Sequence, residues 1–242
     1  LYTDLCLITA DPVIGGDAAA FFQNMAIGRL DGCYRQLLTS PVQLRDQVVA
    51  LIDREIDKGA EGYLFFKLNS ITDRLLIDKL AEASQAGVEV VLNVRGICCI
   101  LPGVPGLTDH LSVFSIVGRF LEHARIYQFG RGDNADLYLS SADFMTRNTL
   151  RRVEIACPVL DPWARARLFH LIRVFQQDTA KARVMDAAGQ YHRKPVQGTP
   201  LDSQTVFLHE TVPPPAWRLE PAKARPGWLA ALLRCGRNKR PR

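Results

Sequence analysis

The stretch GYLFFKLNSITDRLLIDKLAEASQAGVEVVLNVRG, residues 62–96, reads as two buried strands around one amphipathic helix. GYLFFKLN is almost continuously apolar, as a strand covered on both faces is, and ends on the polar groups Lys67 and Asn69. Residues 73–86 then put Leu76, Leu80 and Ala83 on one helical face, and Gly87 closes the helix. VEVVLNV is the second strand and runs into Arg95 and Gly96. Strand, helix, strand predicts a right-handed crossover and a parallel pair.

Outward from this unit the alternation continues. Upstream, Ser40 reads as a helix cap with Pro41 at the first helical position, and Leu44, Val48, Leu51 and Ile52 mark one apolar face. LCLIT, near the start, looks like a strand. Downstream, residues 96–110 are rich in glycine and proline and form a loop. Strands are expected near 112–117, 123–129, 136–140 and 152–158, then a helix over 162–177. Short strands near 181–185 and 190–194 suit a final hairpin. The fold class is therefore α/β, a mixed sheet with helices on both faces, with a body over 1–194. Residues 195–242 change character to a proline-rich basic tail, expected to be disordered. Within it GWLAALLRCGR is patterned as a short amphipathic helix with basic flanks, suited to an anionic membrane surface or a partner.

Composition narrows the class. The chain has 242 residues, 48% hydrophobic and 23% charged, without an apolar run long enough to span a bilayer or a signal-peptide pattern. A cytoplasmic protein is expected, peripheral to the inner membrane face at most through its tail. The net charge of +5 resides in that tail, and the body is balanced. An anion site in the body must come from local clustering of cations. The six cysteines show no C-x-x-C pair, which argues against a metal site or disulfide framework; the adjacent Cys98 and Cys99 read as small apolar groups. A chain that opens on Leu1 directly into a strand-like run reads as a piece of a longer protein.

The chemistry concentrates in GRFLEHARIYQF, residues 118–129. His123 and Arg125 are two apart, hence on one face of a strand. Two cations side by side make sense around an anion. In an α/β sheet, ligands sit at the carboxyl ends of the parallel strands, where Lys67, Asn69 and Arg95 lie. Ser140, Ser141, Asn148, Arg152 and Glu154 come from one loop and the strand it enters. Arginine forks, lysine and histidine together suit phosphate. Glu154 lies between Val153 and Ile155 and needs a partner, with His123 or Arg152 as the candidates. Each of these residues also has a plain reading: Arg95 as a solvated strand end, His123 as a half-buried histidine satisfied by Glu154.

The order H-x-R, a serine pair, then Asn and Glu resembles half of a phospholipase D superfamily site, whose pattern is H-x-K-x4-D followed by G-S-x-N. Arg125 replaces the lysine, Gly130 stands at the aspartate position and SSAD replaces the serine box. With these departures, YTDLCLITAD, YRQLLTSP, KLNSITD, EASQAGVEVVLNVRGICCILPGVPGL, SIVGRFLEHARIYQFG, YLSSADFMTRNTLRRVE and PVLDP resemble the C-terminal part of the type-1 polyphosphate kinases, from about Tyr2 to Val184. The resemblance implies reversible transfer of the terminal phosphoryl group of ATP to polyphosphate, with Mg2+ and through a phosphohistidine that lies upstream of this chain. It implies that Arg95 and His123 contact ATP phosphates; beside them the residue pattern places Lys67, Arg125 and Arg152 nearby, with Glu154 fixing the tautomer of His123. ATP, ADP, polyphosphate and the upstream half of the enzyme are the expected partners, in a homo-oligomer. Mg2+ ligands are expected outside this chain. The competing readings are a phospholipase D-like phosphodiesterase and a polyphosphate-binding module without catalysis. Alone, the chain is expected to make no polyphosphate.

Overall fold

The computed structural model describes residues 1–196 and 198–210. In chain order the elements are β1 (Tyr2–Thr3), α1 (Pro12–Ala26), β2 (Leu38–Ser40), α2 (Leu44–Ile56), β3 (Tyr63–Leu68), α3 (Arg74–Gln85), β4 (Glu89–Val94), β5 (Leu111–Ile116), β6 (Leu121–Glu122), β7 (Arg125–Phe129), β8 (Asp136–Ser140), α4 (Thr146–Leu150), β9 (Glu154–Pro158), α5 (Pro162–Gln177), β10 (Ala182–Met185), β11 (Tyr191–Arg193) and α6 (Ser203–Glu210).

Among the described residues, nine strands form one sheet in the order β11-β10-β5-β4-β3-β7-β8-β9-β2. The pair β3/β4 is parallel, as the crossover through α3 requires, and β4/β5, joined through the loop over 95–110, is parallel too. β7 enters beside β3 in the opposite sense, with Lys67 opposite Ile126. This insertion brings the beginning of β7 to the carboxyl end of β3.

Alternation along the strands sorts the two faces. Leu64, Phe66 and Leu68 of β3 share a core with Val90, Leu92 and Val94, with Tyr127 and Phe129, and with the inward faces of α2 and α3. The other face of β3 meets α5: Gln176 donates to the Tyr63 hydroxyl at 2.8 Å, and Lys67 Nζ lies 5.1 Å from the Phe175 ring centre. Helices thus cover both faces, and β3 is buried along its whole length.

Three expectations need correction. Ser40 does not cap α2; it ends β2, where its hydroxyl donates to the carbonyls of Asn148 and Arg152 and accepts from Glu154 N. The helix starts instead at Leu44. LCLIT forms no strand; the chain there leads into α1, capped by Asp11 with Pro12 at its start. The body also does not end at 194. Asp178 accepts from Ser203 N at 2.8 Å and Ser203 Oγ at 2.6 Å, and Leu201 O accepts from Thr179 N and Ala180 N. A buried carboxylate needs these donors, and Leu1–Val206 forms one compact unit. The GWLAALLRCGR segment and the rest of the basic tail beyond 210 lie outside the described residues. No described helix is long and apolar enough to cross a membrane.

Candidate functional site

The carboxyl ends of β3 and β4, the start of β7 and the turn after β8 meet at one sheet edge. Asp143 ties them together. Its Oδ1 accepts from Asn69 N at 2.6 Å and Ser70 N at 3.3 Å, while Oδ2 accepts from Arg125 Nη2 at 3.0 Å and Asn69 Nδ2 at 3.3 Å. Arg95 approaches from β4. Its Nε donates to Asn69 Oδ1 at 2.6 Å and to the carbonyl of Glu122 at 2.5 Å. These bonds hold Arg95 against the residue that precedes His123 and use only Nε, and among the described residues neither terminal nitrogen has a hydrogen-bond partner.

His123 is gripped at both ring nitrogens. Nδ1 lies 2.7 Å from Asp4 Oδ2, and Arg125 Nη1 donates to Nε2 at 3.2 Å. A guanidinium only donates, so Nε2 must accept and Nδ1 must carry the proton. Asp4 reaches the ring because β1 pairs in parallel with β6, and His123 N donates to Thr3 O. Partial burial works to raise the pKa of the Asp4 carboxyl, but hydrogen bonds from His123 and Leu5 N and the nearby charge of Arg125 outweigh it and hold the group below its usual value. Tyr2, 64% exposed, stands edge-on to the imidazole at 5.2 Å.

The expected residues divide accordingly. Arg95, His123 and Arg125 come together, with Arg125 charge-balanced by Asp143. Glu154 does not join them: β9 lies two strands from β7, and its carboxylate is satisfied by Ser141 Oγ at 2.5 Å and Asn148 Nδ2 at 2.6 Å. The carboxylate that orients His123 is Asp4. Lys67 is 2% exposed and its Nζ pairs with Glu122 Oε2 at 3.2 Å and donates to Ala124 O at 3.1 Å. It is a buried support, with burial pushing its pKa down and Glu122 partly restoring it. Arg152 is exposed in the bend that precedes β9, two residues before Glu154. Sequence reasoning missed Asp4 and Asp143. SSAD was quoted for its serines, and its aspartate carries the contact.

The residues around His123 do not form a Mg2+ site. Asp4 and Asp143 are committed to cationic or imidazole partners, and among the described residues no group of three His, Cys, Asp or Glu side chains converges on one point. A cleft of about 480 Å3 near Arg45, Arg74 and Lys79 lies elsewhere and includes neither Arg95 nor His123.

The family of polyphosphate kinase C-terminal domain 2 matches residues 37–204. The chain belongs to the polyphosphate kinase family. The polyphosphate kinase of Staphylococcus epidermidis is 43% identical over 215 residues, 88% of this chain and 29% of that protein. That of Halalkalibacterium halodurans is 42% identical over 214 residues, 86% of this chain and 30% of its own length. The crystal structure of polyphosphate kinase from Porphyromonas gingivalis superposes with a TM-score of 0.77 at 33% identity, covering 84% of this chain and 32% of that one. The chain thus spans about 30% of the length of the curated polyphosphate kinases it matches.

Proposed function

We propose that this chain supplies the C-terminal half of a polyphosphate kinase active site, which moves the terminal phosphoryl group of ATP reversibly onto polyphosphate. The observation that carries the reading is the convergence of Arg95 and His123, 28 positions apart, through the 2.5 Å bond from Arg95 Nε to the carbonyl next to His123.

Phosphoryl transfer asks for positioning and for charge on the shifting oxygens more than for covalent help. The terminal nitrogens of Arg95 present a fork to two phosphate oxygens. His123 keeps its Nδ1 proton on Asp4, and its Nε2 lone pair, held by Arg125 Nη1 here, becomes an acceptor for a proton once Arg125 turns to the incoming phosphate. A proton taken up there leaves an imidazolium that Asp4 stabilises, and Nε2–H then donates to a phosphate oxygen. Asp4 plays the orienting part that a carboxylate plays for a catalytic imidazole. In the first step the bond from the γ-phosphorus to ADP breaks as one forms to a histidine nitrogen supplied by the preceding half of the enzyme. In the second, a terminal oxygen of polyphosphate attacks and the P–N bond breaks. Mg2+ would be held by groups outside this chain.

Incubation with γ-labelled ATP, with and without the preceding half of a polyphosphate kinase, tests this. The joined protein should lengthen polyphosphate and acquire acid-labile label; Arg95→Ala should cut turnover by roughly 100-fold or more. This chain alone should bind ATP or polyphosphate without chain growth. Chain growth by this piece alone would overturn the assignment. Binding without transfer by the joined protein would leave a binding module, and hydrolysis of phosphodiesters would favour the phospholipase D-like alternative.

A further inference from the structure

A buried polar cluster lies beneath the strand segment that carries His123, and the phosphate chemistry does not use it. Lys67, Glu122 and Gln204 are 2%, 4% and 5% exposed. Gln204 comes from α6, yet its side chain reads the β6 region as a third strand would. Its Oε1 accepts from Phe120 N at 3.0 Å, and its Nε2 donates to Phe120 O and Glu122 Oε1 at 2.8 and 2.7 Å. It packs so closely that a Cβ on Gly118 would come within 2.5 Å of Gln204 Oε1. The other Glu122 oxygen pairs with Lys67, which also holds Ala124 O. Residues 120, 122 and 124 are thus fastened from below, and His123 is the half-exposed residue among them.

Such a cluster is expensive as pure scaffolding. A buried ion pair stabilises weakly against an apolar replacement, because desolvation offsets the attraction. Its return is geometric: two charges and an amide with fixed bonding directions admit one arrangement of the backbone. We propose that Gln204, Glu122 and Lys67 are positioning residues that aim the imidazole of His123 between Asp4 and Arg125, so that α6 is part of the machinery of the site. The catalytic importance of the aim rests on the role given to His123 above; the aim itself does not.

The test uses residues 1–242 and long-range 1H–15N NMR of the histidine rings, recorded at a pH high enough for the rings to be neutral. In the unmodified chain the His123 ring should show one neutral tautomer, protonated on Nδ1. Gln204→Met keeps the side-chain volume and removes all three bonds. It should move the His123 ring nitrogens towards values averaged over both tautomers, while His192, bonded to Asp186 in the β10–β11 hairpin, stays in place. A folded Gln204→Met chain with unchanged His123 signals overturns the proposal. If that variant fails to fold, amide exchange in the unmodified chain decides. The Phe120 N–H, whose acceptor is Gln204, should exchange as slowly as that of Tyr127 in the sheet centre, and exchange at the rate of an open loop overturns it. In the chain joined to the preceding half of the enzyme, Gln204→Met should lower kcat about tenfold with KM for ATP nearly unchanged. If the unmodified joined protein makes no polyphosphate, the functional reading fails while the ring signals still judge the positioning.

Discussion

His123 Nδ1 stands 2.7 Å from Asp4 Oδ2, so a carboxylate 119 positions away in sequence decides where the ring carries its proton. Replacing Asp4 by Ala should lower turnover of the joined enzyme by about 100-fold, the ordinary scale of a general acid–base contribution. Both side chains are partly exposed, so the melting temperature should move by no more than about 2 °C. Kinetics together with calorimetry on Asp4→Ala checks both halves, and full activity would show that the contact is incidental.

Lys67 was a phosphate candidate by sequence and is a buried partner by structure. Removing one member of a buried pair costs about 3–5 kcal/mol, because the other charge is stranded. Lys67→Ala should therefore lower the melting temperature by roughly 10 °C. The double replacement Lys67→Met with Glu122→Leu should recover most of it. A single variant as stable as the parent, with weakened polyphosphate binding, would return Lys67 to the phosphate site.

Asp17 anchors α1 to the body, accepting from the backbone N–H groups of Arg35, Gln36 and Leu37 at 3.1, 2.6 and 3.1 Å. Burial acts to raise its pKa, but these three bonds outweigh it and the pKa lies below the usual value. The sign follows: a depressed carboxyl adds stability above its unfolded pKa, about 3.9, and that stability is lost as the pH falls through the folded value. Asp17→Asn should destabilise the protein by about 2 kcal/mol near pH 7. Thermal melts of both proteins should converge as the pH drops below about 4. A gap that is constant with pH would show that the charge is irrelevant.

Much of the fold was legible because periodicity survives without long-range information. The α3 crossover and the 162–177 helix needed only the spacing of apolar residues, and α5 spans Pro162–Gln177 as expected. What failed was pairing. Nothing local says that Tyr2 and Thr3 dock on Leu121 and Glu122, so Asp4 stayed invisible and Glu154 was given its task. Lys67 misled for a related reason: a polar residue near a strand end looks alike whether it points at ligand or at a buried acid. The α1 helix hid behind Gly15 and Gly16, although Asp11–Pro12 marked its start. Arg95 and His123 were joined through the family resemblance; no spacing rule links them.

The segment after Lys194 was read as tail, yet it carries Ser203 and Gln204 into the body. Ending the chain at Lys194 strips two donors from the buried Asp178 and all three bonds from the Phe120 region. The melting temperature should fall by more than about 5 °C. An unchanged melt would mean that these contacts contribute nothing to the folded state.

The short β1–β6 ladder has a bearing on ancestry. The family domain matches from residue 37 onward, while the carboxylate that governs the imidazole enters through Tyr2 and Thr3, well before that border. A piece begun at residue 37 is thus smaller than the unit that orients His123. A copy transplanted at the family border would bring the histidine without its proton anchor, and a lineage that kept both would have to inherit the leading residues along with the sheet.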